Sequence, residues 1–307
     1  MFRLFQKIRK RVDRSLHTKR RAPKAKAVWD YLAQRNCKAA LLETPHGSFW
    51  VKPGDSVIGF ALFSAGEFDF DDFLQLKAAI TAGVIELPDN AVFLDVGANI
   101  GTHTIYAMNS GLFNSAVCFE PDPINFRLLE MNIHENGYGD RCRLMNMALG
   151  EKSGFAELEL APDNFGDHRI REQTHAAAVA NRYSEENRKT IPVKLGTLDD
   201  TLAELGIDPA SCFLHMDVQG FEPYVLRGAR NFLEKCNSAF TEFWPYGMKR
   251  TGGAEIFRKE AEAQFSHFVD FGAGETHTQP IEALAKLYDR YAEGIGTTLL
   301  LMKKTAV

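Results

Sequence analysis

The sequence predicts an α/β protein built on a parallel, doubly wound sheet, preceded by a small cap of β-hairpins and one helix. Three observations carry that expectation. From residue 91 onward, short apolar runs alternate with helical patterns, the rhythm of successive βαβ units. The runs are nearly continuous in apolar residues, as strands covered on both faces require. The first of them leads into a glycine-rich turn, "FLDVGANIGTHT" (Phe93 to Thr104), at the place where an open parallel sheet holds its ligand.

The elements follow in order. Residues 1–26 hold eleven Lys/Arg and one acid, Asp13. On a helical wheel Phe2, Leu4, Phe5, Ile8, Val12 and Leu16 fall within about 160° of arc, with Arg3, Lys7, Lys10, Arg11 and Arg14 opposite. The segment reads as a basic amphipathic tail suited to an anionic membrane surface, or as a solvated extension. Residues 27–90 form the cap. Within it, 39–63 alternate apolar and polar residues around Pro-His-Gly and Pro-Gly-Asp turns, which predicts hairpins, and 68–83 form an amphipathic helix stopped at Gly83. Residues 91–307 are the main domain. Its predicted strands are 91–96, 116–120, 142–147, 212–218, 238–244, 265–271 and 297–304. Its predicted helices are 102–109, 123–135, 197–205, 221–234, 254–264 and 280–287. A long polar insertion, 161–190, breaks the rhythm and is expected to cover a pocket as a mobile loop.

Composition narrows the function. The net charge of −4 hides a split, because residues 27–307 hold 25 Lys/Arg against 39 acids. An acidic body argues against nucleic acid as partner. Five scattered cysteines without a CxxC pair or a Cys/His cluster argue against zinc and disulfides and for a reducing, cytoplasmic setting. No apolar run reaches the roughly 18 residues that span a bilayer, and no apolar h-region follows the basic start.

The glycine turn decides between cofactors. Gly97 and Gly101 allow close backbone approach, and Asn99 tolerates a left-handed conformation. Glu120 follows Gly101 by nineteen residues at the end of the next strand, where a carboxylate can accept both hydroxyls of a ribose. Dinucleotides use GxGxxG, whose second glycine makes room for a pyrophosphate. Here that position is Asn99, so a nucleoside without phosphate fits better. S-adenosylmethionine is the common one, with its cationic sulfonium and amino group favoured by carboxylates such as Asp95.

In chain order, "GEFDF", "VFLDVGANIGTHT", "CFEPDPINFRLLEMNI", "NMALG", "GTLDDTL", "LHMDVQGFEPYVLRGA" and "TEFW" closely resemble the FkbM family of S-adenosylmethionine-dependent methyltransferases, over roughly residues 66–245. The resemblance implies a Rossmann-like seven-stranded methyltransferase fold with its last strand antiparallel, and O-methylation of a hydroxyl on a sugar, glycan or small metabolite. One segment departs from the family pattern. The usual Lys-x-Asp-Val-Glu-Gly reads His215-Met216-Asp217-Val218-Gln219-Gly220, so a positive and a negative charge are missing together.

The expected cofactor-binding residues are Asp95, Gly97, Asn99, Gly101 and Thr102, then Glu120 and Pro121, Asn146 and Met147 after the third strand, and Asp217. The expected catalytic residues are Asp217, Glu242 and His168, the last of these in the insertion. Glu222 opens a helix, where an acid is favourable without any function. Asp217 and Glu242 are too few carboxylates to diagnose a metal site, and none is expected. His215 reads as a core residue or one behind the site. Two other readings remain: a nucleotide-dependent oxidoreductase on a similar sheet, and a membrane-associated binding module without catalysis.

Overall fold

In the computed structural model, which describes residues 23–171, 183, 185–272, 277–292, 294 and 296–303, a helix over 23–34 leads into the hairpin β1 (Ala40–Thr44) and β2 (Gly47–Val51). The first strands of the main sheet are β3 (Val92–Val96), β4 (Ser115–Phe119) and β5 (Cys142–Met145). The chain then leaves for a separate four-stranded sheet of β6 (Ala148–Leu149), β7 (Gly154–Leu160), β8 (Arg169–Ile170) and β9 (Lys189–Gly196). It returns through β10 (Cys212–Met216), β11 (Ser238–Phe243), β12 (His267–Asp270), β13 (Gln279–Pro280) and β14 (Thr297–Met302).

The main sheet has the order β13-β12-β14-β11-β10-β3-β4-β5. Neighbours from β5 to β11 are parallel, and β14 is antiparallel to both β11 and β12. This is the expected seven-stranded arrangement with an antiparallel last strand, plus the two-residue edge strand β13. Because side chains alternate along a strand, Leu94, Val96, Leu214 and Met216 enter one core with the helices Leu198–Leu205, Glu222–Arg227 and Ala254–Gln264. Phe93, Phe213 and Phe240 enter the other. There they meet Ile105, Leu129 and Ile133 from the helices Thr102–Asn109 and Pro123–Glu135, and Trp29, Phe49, Leu62 and Phe73 from the cap. The cap therefore shares a core with one face of the sheet.

The structure corrects four expectations of local structure. Residues 39–63 hold one hairpin rather than several, because Ile58–Ala65 is a helix. The Asp55 carboxylate accepts the N–H groups of Val57 (3.2 Å) and Gly59 (2.7 Å) at its start, and Ile58 and Leu62, one turn apart, bury the same face. The helix predicted over 221–234 is two, Glu222–Arg227 and Arg230–Lys235. At the break Asp199 N donates to the Gly228 carbonyl (3.1 Å), and only glycine fits, since a Cβ on Gly228 would lie 1.9 Å from the Gly150 carbonyl oxygen. Asp199 then caps the second piece, accepting from Asn231 N (2.9 Å) and Phe232 N (2.8 Å). A helix over Pro245–Arg250, unforeseen, follows β11.

The fourth correction is the small sheet. The ends of the insertion pair with its flanks, β7 running antiparallel to β9 and to β8. Buried ion pairs fix it. Arg188 bonds Asp167 (2.5 Å), Arg169 bonds Glu185 (2.8 Å) and Arg250 grips both oxygens of Glu159 (2.9 and 2.8 Å). Residues 172–182 and 184 of the insertion, like the tail positions Phe2 to Leu16, lie outside the described residues.

Candidate functional site

Strand order reverses between β3 and β10, since the chain runs outward from β3 to β5 and then returns on the other side. A crevice opens at the carboxyl ends of strands at such a point, and the glycine turn sits in it. Gly97, Asn99 and Gly101 all have positive φ, +88°, +50° and +87°. Gly97 N and Ala98 N donate to Phe119 O (3.0 and 2.9 Å), tying the turn to the end of β4. The need for glycine is steric at Gly97, where a Cβ would stand 1.9 Å from the Asp217 carbonyl oxygen. Gly101 answers a different demand, because its Cβ would meet Leu129 of the next helix at 2.7 Å.

A cavity of about 360 Å³ lies over this turn. Of the residues expected at the site, Gly97, Asn99, Thr102, Glu120, Pro121, Met147, His168, Asp217 and Glu242 line it. Three do not. Asp95 is fully buried behind the wall, its carboxylate accepting from Thr104 Oγ1 (2.5 Å) and bonded to His215 Nδ1 (2.8 Å). Gly101 packs against the helix. Asn146 braces the turn after β4, its amide donating to the carbonyls of Glu120 (2.8 Å) and Pro121 (3.2 Å).

Glu120 is held at both oxygens, accepting Asn99 N (2.9 Å) and Asp122 N (2.8 Å). Burial pushes its carboxyl up to about 8, against those two bonds, and Asp122 and Asp95 add to the rise. Asp122 itself caps the following helix through Ile124 N and Asn125 N. The insertion supplies the facing wall with Asn164, Phe165, Gly166 and His168. Its Phe165 carbonyl accepts from Asn99 Nδ2 (2.9 Å) and Asn125 Nδ2 (3.0 Å). His168 Nδ1 accepts the Ala161 N–H (3.0 Å), which leaves the ring proton on Nε2 and presents a donor.

Beyond Asp217 the site is acidic. Asp217, Glu222 and Glu242 bring one oxygen each within 4.8 Å of one another. Burial raises all three, and for Glu242 the charges of Asp217 and Glu222 add to it. The Gln219 amide donates to Asp217 (2.7 Å) and Glu242 (3.1 Å). Three carboxylates suit a divalent ion or shared protons alike; the Gln219 amide, as a donor, offsets part of the burial effect at Asp217. Gln219, which bridges this pair, adopts φ +56°.

Glu222, whose place in a helix's first turn leaves a functional and a purely local reading equally open, joins the cluster. Its Oε1 accepts Val218 N (2.9 Å) and Gly220 N (3.4 Å), while Oε2 is buried without a partner among the described residues. Burial lifts this carboxyl from the usual 4.5 to about 8. Across that window the folded chain keeps a proton that the unfolded chain has lost, so stability falls as pH rises. Glu222→Gln, which keeps Oε1 and removes the titration, is expected to melt higher than the parent at pH 8.5 and to differ less at pH 5. Parallel melting curves for the two proteins from pH 5 to 9 would reveal a burial effect of the wrong sign.

Sequence reasoning also missed Asp69, Asn125, Phe165 and Gln219, all of which line the cavity. Asp69 sits in the left-handed region (φ +48°) at the start of the helix Phe70–Thr81. It is exposed on the cavity wall but enclosed by protein on its other sides, and burial, Asp72 and Asp217 push it up to about 7. Along the sequence it is only one acid of the amphipathic helix, and nothing local signals its reach to the site.

Comparison with known proteins gives a consistent family. Residues 95–270 match the family model described as the methyltransferase FkbM domain. The chain is 30% identical over 167 residues to the 2-O-methyltransferase NoeI of Sinorhizobium fredii, covering 52% of this chain and 65% of that protein. It is 30% identical over 160 residues to the hexuronic acid methyltransferase AglP of Haloferax volcanii, covering 51% and 57%. The chain thus spans less than two thirds of the length of these relatives. Among solved structures, methyltransferase FkbM from Methylobacillus flagellatus is similar at a TM-score of 0.43 and 15% identity, covering 79% of this chain and 52% of that one.

Proposed function

This chain belongs to the FkbM methyltransferase family, and on that premise we propose that it methylates a hydroxyl of a sugar, glycan or small metabolite, with S-adenosylmethionine as methyl donor. The observation that carries the reading is the pairing of Gly97 and Glu120 on one cavity, a backbone cradle beside a ribose-directed carboxylate. A phosphate-bearing dinucleotide would meet no Lys or Arg among the described residues lining that cavity. The relatives' names, a 2-O-methyltransferase and a hexuronic acid methyltransferase, support an oxygen acceptor on a sugar-like ring.

When bound, S-adenosylmethionine supplies a methyl group already activated on a sulfonium. The protein's part is therefore alignment and proton handling. Glu120 would hold the ribose hydroxyls, Pro121 and Met147 would flank the adenine, and Asn99 with Thr102 would border the methionine end near Asp217. His168 presents an N–H from the insertion's side of the cavity that can hold a bound molecule in place, while Asp217 and Glu242 can hydrogen-bond hydroxyls of the acceptor. Phe165, Val57 and Ile58 close the cavity against water. Holding the partners in line can supply on the order of 7–11 kcal/mol.

Melting curves and calorimetry with S-adenosylmethionine, S-adenosylhomocysteine and NAD test the reading. The first two should stabilise the protein, by about 2.7 kcal/mol at a hundred times their Kd, and NAD should not. Stabilisation by NAD alone would establish the oxidoreductase instead.

No helix among the described residues is long and apolar enough to cross a membrane. The basic tail, residues 1–26, is proposed to rest on an anionic membrane at its cytoplasmic face, each Lys/Arg near the surface contributing about 1 kcal/mol. Co-sedimentation with liposomes should require anionic lipid, weaken with salt, and disappear when residues 1–26 are deleted. Undiminished sedimentation of the truncated protein would end that proposal.

A further inference from the structure

A second cavity, of about 330 Å³, adjoins the first and shares Asp69, His103, Asp217 and Glu242 with it. Its other described walls include His215, Asp72, Thr297 and Thr298. We propose that this cavity is the acceptor site, that it takes an uncharged polyhydroxylated compound, and that His215, oriented by Asp95, removes the proton from the reacting hydroxyl. The inference rests on the methyl-transfer reading above and adds to it the base and the charge class of the acceptor.

The base is identified by its tautomer. His215 on β10 and Asp95 on β3 are register partners, so their side chains leave the same face side by side. With Nδ1 bonded to the Asp95 carboxylate at 2.8 Å, the ring proton resides on Nδ1 and Nε2 carries a lone pair. Nε2 has no hydrogen bond among the described residues, yet it is not sealed in the core, and the ring lines the second cavity while the residue is 5% exposed. Phe93 and Phe240 stack on either side of the ring, with centroids 5.6 and 5.8 Å away, and fix its plane.

The competing bases are each compromised. His168 has the opposite tautomer. His103, whose ring lies 4.6 Å from that of His215, is pushed down to about 3 by burial and by His215, too weak to hold a proton. Asp217 and Glu242 share the Gln219 amide. Asp72 accepts from Thr298 Oγ1 (2.7 Å). The Asp69 carboxylate has no hydrogen bond among the described residues and lines both cavities, so the experiment below includes it.

In the reaction the hydroxyl proton passes to His215 Nε2 as the oxygen lone pair forms the bond to the methyl carbon and the carbon–sulfur bond breaks toward sulfur. One positive charge leaves the sulfonium and one appears on the imidazole, where Asp95 stabilises it. The charge class follows from the walls. Asp69, Asp72, Asp217 and Glu242 are present and no Lys or Arg is found among the described lining residues. Carboxyls hydrogen-bond hydroxyls in either protonation state, whereas a carboxylate or phosphate on the acceptor would be enclosed there with no cation to pair it.

The test uses the full chain, labelled with 15N-histidine and saturated with S-adenosylhomocysteine. The His215 resonances should show a protonated Nδ1 and a bare Nε2. A panel of neutral methyl hexopyranosides should shift the Nε2 resonance, while the corresponding methyl uronosides at equal concentration leave it in place. With the responding hexoside as acceptor, His215→Gln should lower methyl transfer by roughly 10²–10⁴-fold while its S-adenosylmethionine Kd stays within about twofold of the parent. The parent's rate should rise through one ionisation that the variant lacks; Asp95 and His103 lie against the ring, and Asp69, Asp72, Asp217 and Glu242 line the same cavity. A protonated Nε2, uronosides shifting it as strongly as hexosides, or no response to any neutral hexoside would overturn the proposal. So would a large loss of transfer in Asp69→Asn with His215→Gln unaffected. Loss of S-adenosylmethionine binding by the parent protein would instead count against the methyl-transfer reading.

Discussion

Replacing Glu120 with glutamine is expected to remove measurable S-adenosylmethionine binding from a protein that still folds. Glutamine keeps one carbonyl oxygen for Asn99 N or Asp122 N, the two groups that Glu120 now satisfies. It turns the other oxygen into a donor facing a donor. That mismatch costs about 1–3 kcal/mol of stability, which a cooperative melt will report without unfolding the chain at 25 °C. Binding suffers more, because a carboxylate accepting two ribose hydroxyls makes two charge-assisted bonds, each contributing about 1.5–3 kcal/mol.

A pH signature accompanies it. The carboxyl keeps its proton up to about 8 in the free protein, whereas the ribose bonds require the ionised form. Affinity of the parent should therefore climb by up to about tenfold per pH unit and level off above pH 8, and the glutamine variant should lack that climb. Calorimetry from pH 6 to 9 decides it; unchanged affinity at every pH would refute the ribose role of Glu120.

Glu120 was legible in the sequence because its place depends on local things: a turn, one helix and the end of the next strand. The same holds for Gly97, Asn99 and the helix over Pro123–Glu135, whose Asp122 cap and Pro123 start are written in four consecutive residues. What was not legible depends on contacts between distant segments. At the helix break, Asp199 bonds the Gly228 carbonyl and the Gly150 carbonyl leaves room only for glycine. β7 and β9 pair residues 154–160 with 189–196; Ala156, Leu158 and Leu160, like Ile191, Val193 and Leu195, alternate with their neighbours as a strand does, but which segments pair is decided only in the fold. Asp167, Arg169, Glu185 and Arg188 read singly as loop charges; folded, they form a buried network.

His215 illustrates the same limit at the site. Along the sequence it is a histidine inside an apolar run, and a buried place was the natural reading. Its partner is 120 positions away, and only the parallel pairing of β3 with β10 brings the Asp95 carboxylate beside the ring. Asp95 was read as facing the cofactor for the converse reason: it stands next to the glycine turn in sequence, but alternation along β3 turns it to the sheet face, toward Thr104 and His215. The missing charges at 215 and 219 were noticed as a pair, yet the structure gives them separate employments, one on Asp95 and one bridging Asp217 and Glu242.

Gly97→Ala should be the most damaging of the small substitutions, destabilising the protein by at least about 3 kcal/mol and abolishing cofactor binding. Two effects act together there, and glycines elsewhere in the chain separate them. Gly83, at φ +70°, has nothing within 4 Å of a built Cβ, so Gly83→Ala measures backbone strain alone, about 1 kcal/mol. At Gly97 the strain at φ +88° is joined by a Cβ 1.9 Å from Asp217 O and 2.8 Å from Asp217 C. Those are backbone atoms held in place by Asp217 N donating to Val96 O at 2.9 Å, so no side chain can swing away to relieve the clash. Relief requires the ends of β3 and β10 to part, and the crevice between those ends is where Gly97, Asp217 and the His215–Asp95 pair converge. Gly101→Ala falls between the two cases, since its Cβ meets only the flexible end of Leu129 at 2.7 Å. The melting temperatures should therefore rank parent, Gly83→Ala, Gly101→Ala, Gly97→Ala from highest to lowest. A Gly97→Ala protein that melts with Gly83→Ala and still binds S-adenosylmethionine would mean that the two strand ends do not meet as closely as the geometry requires.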